Sequence, residues 1–260
     1  MASPGAFRVA NWNLAAWKRM WASNLMSSLI QPLLYLLGLG VGVGSLVDRN
    51  SASSQVLGGL PYAAYVAPGL LVSTAMTLGA FESMWPVLGG LKWQRGYHAI
   101  AATPLEAADI VRGHATWIAV RSGTAAALVA VVLALFPDTR SWGLIPAAMA
   151  ATLVGVSFAM PVMATSIDAE MDGQFAAIQR FVIIPLFLFG GAFYPLSQLP
   201  TVVQWAARAF PLWHGVVVAR AFTTGHVRPL AVLGHLAYCA AFVVVGGVVS
   251  TRRLRKKLYP

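Results

Sequence analysis

The feature that most constrains this chain is a series of long apolar runs, with acidic residues confined to their ends. The runs cover about residues 24–47, 62–81, 113–136, 142–167, 175–193 and 230–250. At 1.5 Å of rise per helical residue, each is long enough to cross roughly 30 Å of hydrocarbon. The eight acids are Asp48, Glu82, Glu106, Asp109, Asp138, Asp168, Glu170 and Asp172, and every one falls at a run end or in a connection. Membrane strands would need period-two alternation with a turn every ten or so residues, and the runs have none. The expected fold is an all-α integral membrane protein with six transmembrane helices. Composition agrees: 58% of residues are hydrophobic and 10% are charged, against roughly 25% charged in soluble domains. Six spans in 260 residues leave nothing for a separate soluble domain.

Charge sets the expected orientation. With the N-terminus inside, the cytoplasmic segments hold Arg8, Lys18 and Arg19, then Lys92, Arg95 and Arg112, then Arg180, then the terminal cluster Arg252, Arg253, Arg255, Lys256 and Lys257. The outer segments hold only Arg49, Arg140, Arg208, Arg220 and Arg228. Inner loops of membrane proteins carry the excess of Lys and Arg, so both termini are expected in the cytoplasm. The terminal RRLRKK suits anionic lipid. Nucleic acid is not the expected partner of this positive charge.

Three segments outside the runs carry pattern. Residues 1–23 lack the core and cleavage site of a secretory signal. They read instead as an interfacial amphipathic helix, with Leu14, Trp17, Trp21 and Leu25 at helical spacing beside Lys18 and Arg19. In the inner loop 82–112, Trp93, Tyr97 and Ile100 fall at i, i+4 and i+7, one face of a short helix whose other side carries Lys92, Gln94, Arg95 and His98. That face suits lipid or a partner's groove equally. Thr103, Pro104 and Glu106 then have the spacing of an N-cap, a first helical residue and a capping-box acid. Residues 194–229 contain apolar patches cut short by Pro195, Pro200 and Pro211, with Arg208, His214 and Arg220 among them. They read as re-entrant helices at the outer face, a candidate gate.

Catalytic signals are missing. No G-x-x-x-x-G-K-[ST] occurs, so the chain holds no P-loop nucleotide site. The five histidines neither pair at i, i+4 nor cluster with acids in sequence, and Cys239 is the only cysteine, so neither a metal site nor a disulfide is expected. Ion-coupled transport usually needs acids inside spans. Glu82 reads as a solvated helix end, His98 and His114 as interface residues, and Arg121, two turns inside the third run, as a snorkelling side chain. A membrane-embedded lipid-modifying enzyme or a secondary transporter would need features this chain does not display. A transporter driven by an external engine is the economical reading.

The chain resembles the membrane subunits of type-2 ATP-binding-cassette (ABC-2) exporters, and among them the nodulation-type lipo-oligosaccharide and drug-export permeases. The resemblance rests on Gln31–Gly42 (QPLLYLLGLGVG), Phe81-Glu82 with Thr103-Pro104-Leu105, Pro185–Pro200 (PLFLFGGAFYPLSQLP), and Pro211-Leu-Trp-His214 with Arg220 six residues later. It implies a single transmembrane domain over 1–260 in the bacterial cytoplasmic membrane, working as two permease copies, identical or paralogous, with two copies of a separate ATPase. It implies no cofactor on this chain, with ATP and Mg on the ATPase. Glu82, Trp93, Arg95, Tyr97 and Ile100 would then form the ATPase-coupling element. Pro195, Pro200, Pro211, His214 and Arg220 would form the re-entrant gate, and Tyr35, Met76, Phe187 and Phe193 would line the path of an amphipathic substrate moving outward. The glycines at 38, 40, 42 and 44 contain two small-xxx-small pairs, suited either to the seam between copies or to packing within one.

Overall fold

The computed structural model describes residues 4–18, 30, 32–50, 55–171 and 173–259. Among these there is no strand. The helices are α1 (Pro4–Lys18), α2 (Pro32–Val47), α3 (Tyr62–Glu82), α4 (Trp85–Leu88, wound on more widely through Gly89–Trp93), α5 (Gly96–Ala101), α6 (Ala107–Leu135), α7 (Leu144–Asp168), α8 (Gly173–Phe189), α9 (Thr201–Arg208), α10 (Pro211–Thr224) and α11 (Pro229–Leu258). Among the described residues, four segments are long and apolar enough to cross a membrane: Tyr62–Trp93, Ala107–Leu135, Leu144–Asp168 and Pro229–Leu258. α2 and α8 are shorter apolar helices. The first expected span, 24–47, is described only from Ile30 and Pro32 onward.

α7 is the pillar on which α3, α6, α10 and α11 pack. In its most apolar stretch 72% of residues are buried, against 17% in α11. Small residues make the close approaches. A Cβ on Gly79 of α3 would fall 2.1 Å from the Gly155 carbonyl oxygen of α7, and one on Gly246 of α11 would fall 2.7 Å from the Pro161 nitrogen. Pro161 interrupts the hydrogen-bond ladder inside α7. Beside it, the Ser250 hydroxyl of α11 donates to the Met160 carbonyl at 3.0 Å.

The antiparallel helices sort the loops into two ends. At the basic end lie α1, α4, α5, the start of α6 and the last turns of α7 and α11. α1 sits against α6 through Gly5, Ala6 and Val9, so tightly that a Cβ on Gly113 would fall 2.6 Å from the Ala6 carbonyl oxygen. Phe7 and Trp12 face outward. The Trp17 side chain, Arg19, Trp21 and Leu25 lie outside the described residues. At the opposite end, an Asp48 carboxylate oxygen accepts from the Tyr62 backbone N–H at 2.9 Å, placing negative charge at the start of α3.

Two local expectations are corrected. Trp93, Tyr97 and Ile100 do not share one helix, because Arg95 takes a left-handed conformation (φ 50°) that ends α4 and starts α5 in a new direction. The α6 cap lies three residues later than its spacing suggested. Glu106 is the N-cap and Asp109 its reciprocal partner, while the Thr103 hydroxyl donates to the Ile100 carbonyl at 2.6 Å and closes α5.

Candidate functional site

The most patterned surface is at the basic end, between α3 and α6. Ser83 and Met84 break the helix after Glu82, and Pro86 lies in the first turn of α4, where its missing N–H costs nothing. Gly90 carries no side chain where the Tyr97 ring lies, since a Cβ there would sit 3.1 Å from it. Tyr97 is fully enclosed among Val87, Leu91, Ile110, Val111 and Leu254, and burial pushes its phenol above its ordinary value. It is a core residue of this end, not part of an outward face. Trp93 is its opposite, 61% exposed. Ile100 is intermediate, and with Ala99, Gly96 and Thr103 it forms one wall of a groove of about 310 Å³, whose other wall is Arg8, Val9 and Trp12 of α1.

Beneath this surface is a buried polar cluster. Glu82, at the end of α3, is neither solvated nor on the surface. Its carboxylate accepts from Arg121 Nε at 3.1 Å and from Trp117 Nε1 at 3.2 Å, with Glu82 14% and Arg121 6% exposed at the side chain. The His114 ring nitrogen Nε2 lies 3.1 Å from the Glu82 carbonyl oxygen. His114, Trp117 and Arg121 fall on one face of α6 at i, i+3 and i+7. Arg121 therefore points into the bundle instead of snorkelling, and His114 is buried instead of lying at an interface. Both differences have one cause. α3 and α6 pack side by side, and the charge at the end of one run meets the charge inside the other.

On the flank, Tyr35 of α2, Phe187 of α8 and Phe193 in the turn after α8 form an aromatic triad with ring centroids 5.1 to 6.2 Å apart. Met76 of α3 is fully buried in the core cluster against which this triad packs.

At the opposite end, prolines set the breaks. Pro195 precedes a single 3-10 turn, Pro200 precedes α9, and Pro211 begins α10. The short helices are pinned by polar side chains. Arg220 donates to the carbonyls of Tyr65 (3.2 Å) and Gly191 (3.1 Å), and its guanidinium lies 3.8 Å from the Tyr65 ring centroid. His214 Nε2 donates to the Arg208 carbonyl at 2.9 Å, which leaves Nδ1 as the acceptor facing His235 Nδ1 at 2.7 Å. Tyr238 stacks on the His214 ring at 4.0 Å. Among the described residues, no three His, Cys, Asp or Glu converge on a point that would hold a metal ion.

A bundle of long apolar helices with buried polar cross-links and short proline-started helices at one end fits a membrane transporter, and comparison with known proteins decides which. The model of the family described as "ABC-2 type transporter" matches residues 7–222. The chain belongs to the ABC-2 type transporter family. It is 34% identical over 252 residues to Nodulation protein J of Rhizobium leguminosarum bv. trifolii, covering 96% of this chain and 93% of that one. It is 32% identical to Nodulation protein J of Rhizobium meliloti (strain 1021), covering 97% and 94%. The inner membrane transport permease YadH of Escherichia coli (strain K12) is 23% identical over 76% of this chain and 70% of its own length. This ABC-2 chain is thus a transport subunit and not an enzyme.

Two side-chain pairings of this ABC-2 protein escaped sequence reasoning. The Glu82–Arg121 pair carried a signal, because an arginine inside an apolar run needs a partner, and Glu82 is the acid ending the run before it. The His214–His235 pair carried none, since 21 residues and a helix boundary separate the two rings.

Proposed function

We propose that this chain is the membrane-spanning permease subunit of an ATP-driven exporter, that two copies assemble with two separate ATPase subunits, and that it moves an amphipathic substrate outward across the cytoplasmic membrane. The observation that carries this reading is the family match across 7–222, together with an element at the basic end, Trp93 through Thr103, on which Trp93, Arg95, His98, Ala99 and Thr103 are exposed among the described residues. In this reading the basic end is cytoplasmic, as positive charge favours, and residues 24–47 and 175–193 complete six spans.

Trp93, Arg95 and Ile100 meet the ATPase, with the groove between α1 and α5 as the seat for one of its surface elements. Tyr97 and Glu82 serve from below. Tyr97 holds α5 to the bundle, and Glu82 ties the end of α3 to α6, so that a push on α5 reaches two long helices together. ATP and Mg belong to the ATPase. Tyr35 and Phe187, backed by buried Phe193, offer apolar surface and one hydroxyl to the cargo, which suits a lipid, glycolipid, lipo-oligosaccharide or apolar drug. The hairpin held by His214 and Arg220 and started by Pro195, Pro200 and Pro211 is the outer gate.

The test is co-purification and topology. The permease coexpressed with an ATP-binding-cassette ATPase from its own genome is expected to copurify with it, and reconstituted vesicles are expected to move cargo only with ATP. Transport by the permease alone would overturn the reading. Cysteines placed at Asp48 and Lys256 are expected to label from opposite sides, outside and inside respectively. Labelling of both from one side would break the six-span arrangement.

A further inference from the structure

On the other side of α5 from the groove, a second cleft of about 480 Å³ is lined by Leu91, Lys92, Arg95, His98 and Lys257. Three elements contribute to it, the end of α4, the start of α5 and the end of α11, and no carboxylate is among the lining side chains. Its cations are placed by the fold. Lys92 Nζ donates to the Glu170 carbonyl at 2.7 Å, and Lys257 Nζ donates to the Ile167 carbonyl. The Lys257 ammonium therefore sits at the C-terminal turn of α7, where the helix dipole favours positive charge, and the Lys92 ammonium sits just past it. Each keeps further N–H donors, since an ammonium carries three. Of the neighbouring acids, Asp168 is occupied by Arg253 at 2.6 Å, and exposed Glu170 meets Lys92 through its backbone carbonyl. Arg95 lines the same cleft from a left-handed backbone position, a conformation that persists where surrounding structure enforces it. Buried Leu91 supplies an apolar wall.

We propose that this cleft binds the phosphate of an anionic phospholipid headgroup, with Lys92, Arg95 and Lys257 as its donors. Its place favours lipid over an acidic protein surface. Lys257 is tied to the last turn of α7 and Lys92 to the backbone just past it, and Lys257 comes from the basic last turn of α11, which follows that helix's apolar stretch. The exposed indole of Trp93 stands beside it, and tryptophan favours the headgroup level. The terminal basic cluster is thereby divided. Lys257 serves the cleft and Arg253 serves α7, while Arg252, Arg255 and Lys256 face away and are exposed. Arg95 also belongs to the ATPase contact proposed above, but lipid retention is read on the permease without the ATPase, so its failure leaves the transport reading standing.

The test is native mass spectrometry of the purified full chain titrated with phosphatidylglycerol and with phosphatidylcholine of the same acyl chains. The wild type is expected to retain the anionic lipid about tenfold more strongly, and Lys92→Gln with Arg95→Gln together to remove that preference. Arg95→Gln alone, which leaves both lysine–carbonyl bonds in place, is expected to lower it about threefold, so a misfolded double variant would not end the test. Arg252→Gln with Lys256→Gln is expected to leave it unchanged. A preference that follows Arg252 and Lys256 instead, or survives in both cleft variants, overturns the proposal. Displacement of the lipid by equimolar glycerol 3-phosphate would assign the cleft to a soluble phosphate and overturn the lipid source. Loss of ATPase copurification in the double variant, with lipid preference intact, would assign it to an acidic protein surface and overturn it equally.

Discussion

Two arginines inside the bundle solve the same problem in different ways. Arg121, near the basic end, is met by a carboxylate, and Glu82 in turn is held by Trp117. Arg220, near the opposite end, is held by neutral groups, two carbonyls and the face of Tyr65, and its Nε is enclosed without a partner. The first is a closed charge unit joining two long helices, with each partner needing the other. The second is a cation spread over dipoles, pinning a short helix to α3 and to the turn at Gly191. The difference separates a joint built to move as one body from a clasp that gives way in parts.

The largest expected effect breaks the first joint. Glu82→Ala leaves Arg121 buried without its counter-charge, and a loss of about 3–5 kcal/mol of stability is expected in denaturant unfolding in detergent. Adding Arg121→Met is expected to recover most of it, since an apolar pair of similar volume replaces a buried ion pair at little cost. Failure of the double variant to recover would mean that the pair is not a closed unit. Arg220→Met comes next, with about 1–3 kcal/mol expected from lost hydrogen bonds and cation–π contact. A loss as large as that of Glu82→Ala would erase the distinction. Gly79→Ala sharpens the comparison by loading the α3–α7 contact between the two arginines, and about 1–3 kcal/mol of overpacking is expected. Trp93→Ala is the smallest in stability, within about 0.5 kcal/mol for an exposed side chain. It is nonetheless expected to uncouple ATP turnover from transport in reconstituted vesicles. Unchanged coupling would remove Trp93 from the ATPase contact.

Much of this was legible in the residues. The four long spans follow from apolar length, and the proline-started helices at the opposite end follow from ring geometry. The family follows from motifs kept in order along the chain. What the residues hid was side-chain direction across helix breaks. Periodicity carried through 93–100 assumes one continuous helix, and a left-handed Arg95 turns Tyr97 in and leaves Trp93 out. The glycine series shows the same limit in milder form. Gly40 and Gly44 rest against Ala63 and Tyr62, whereas a Cβ on Gly38 would meet nothing within 4 Å and one on Gly42 only the backbone of its own helix. Spacing alone could not assign one pair to packing within the subunit. Met76 was offered to the substrate path because it is large and apolar, a description that fits a core residue equally well.

The enclosure of α7 carries a last consequence. A helix walled by its own neighbours answers to their shapes and hardly at all to the solvent around the bundle. Thinning or thickening the bilayer should therefore act on the rim, α11 above all, and leave the central helix in register. A permease built this way can work in membranes of differing thickness by adjusting its perimeter while its axis holds still.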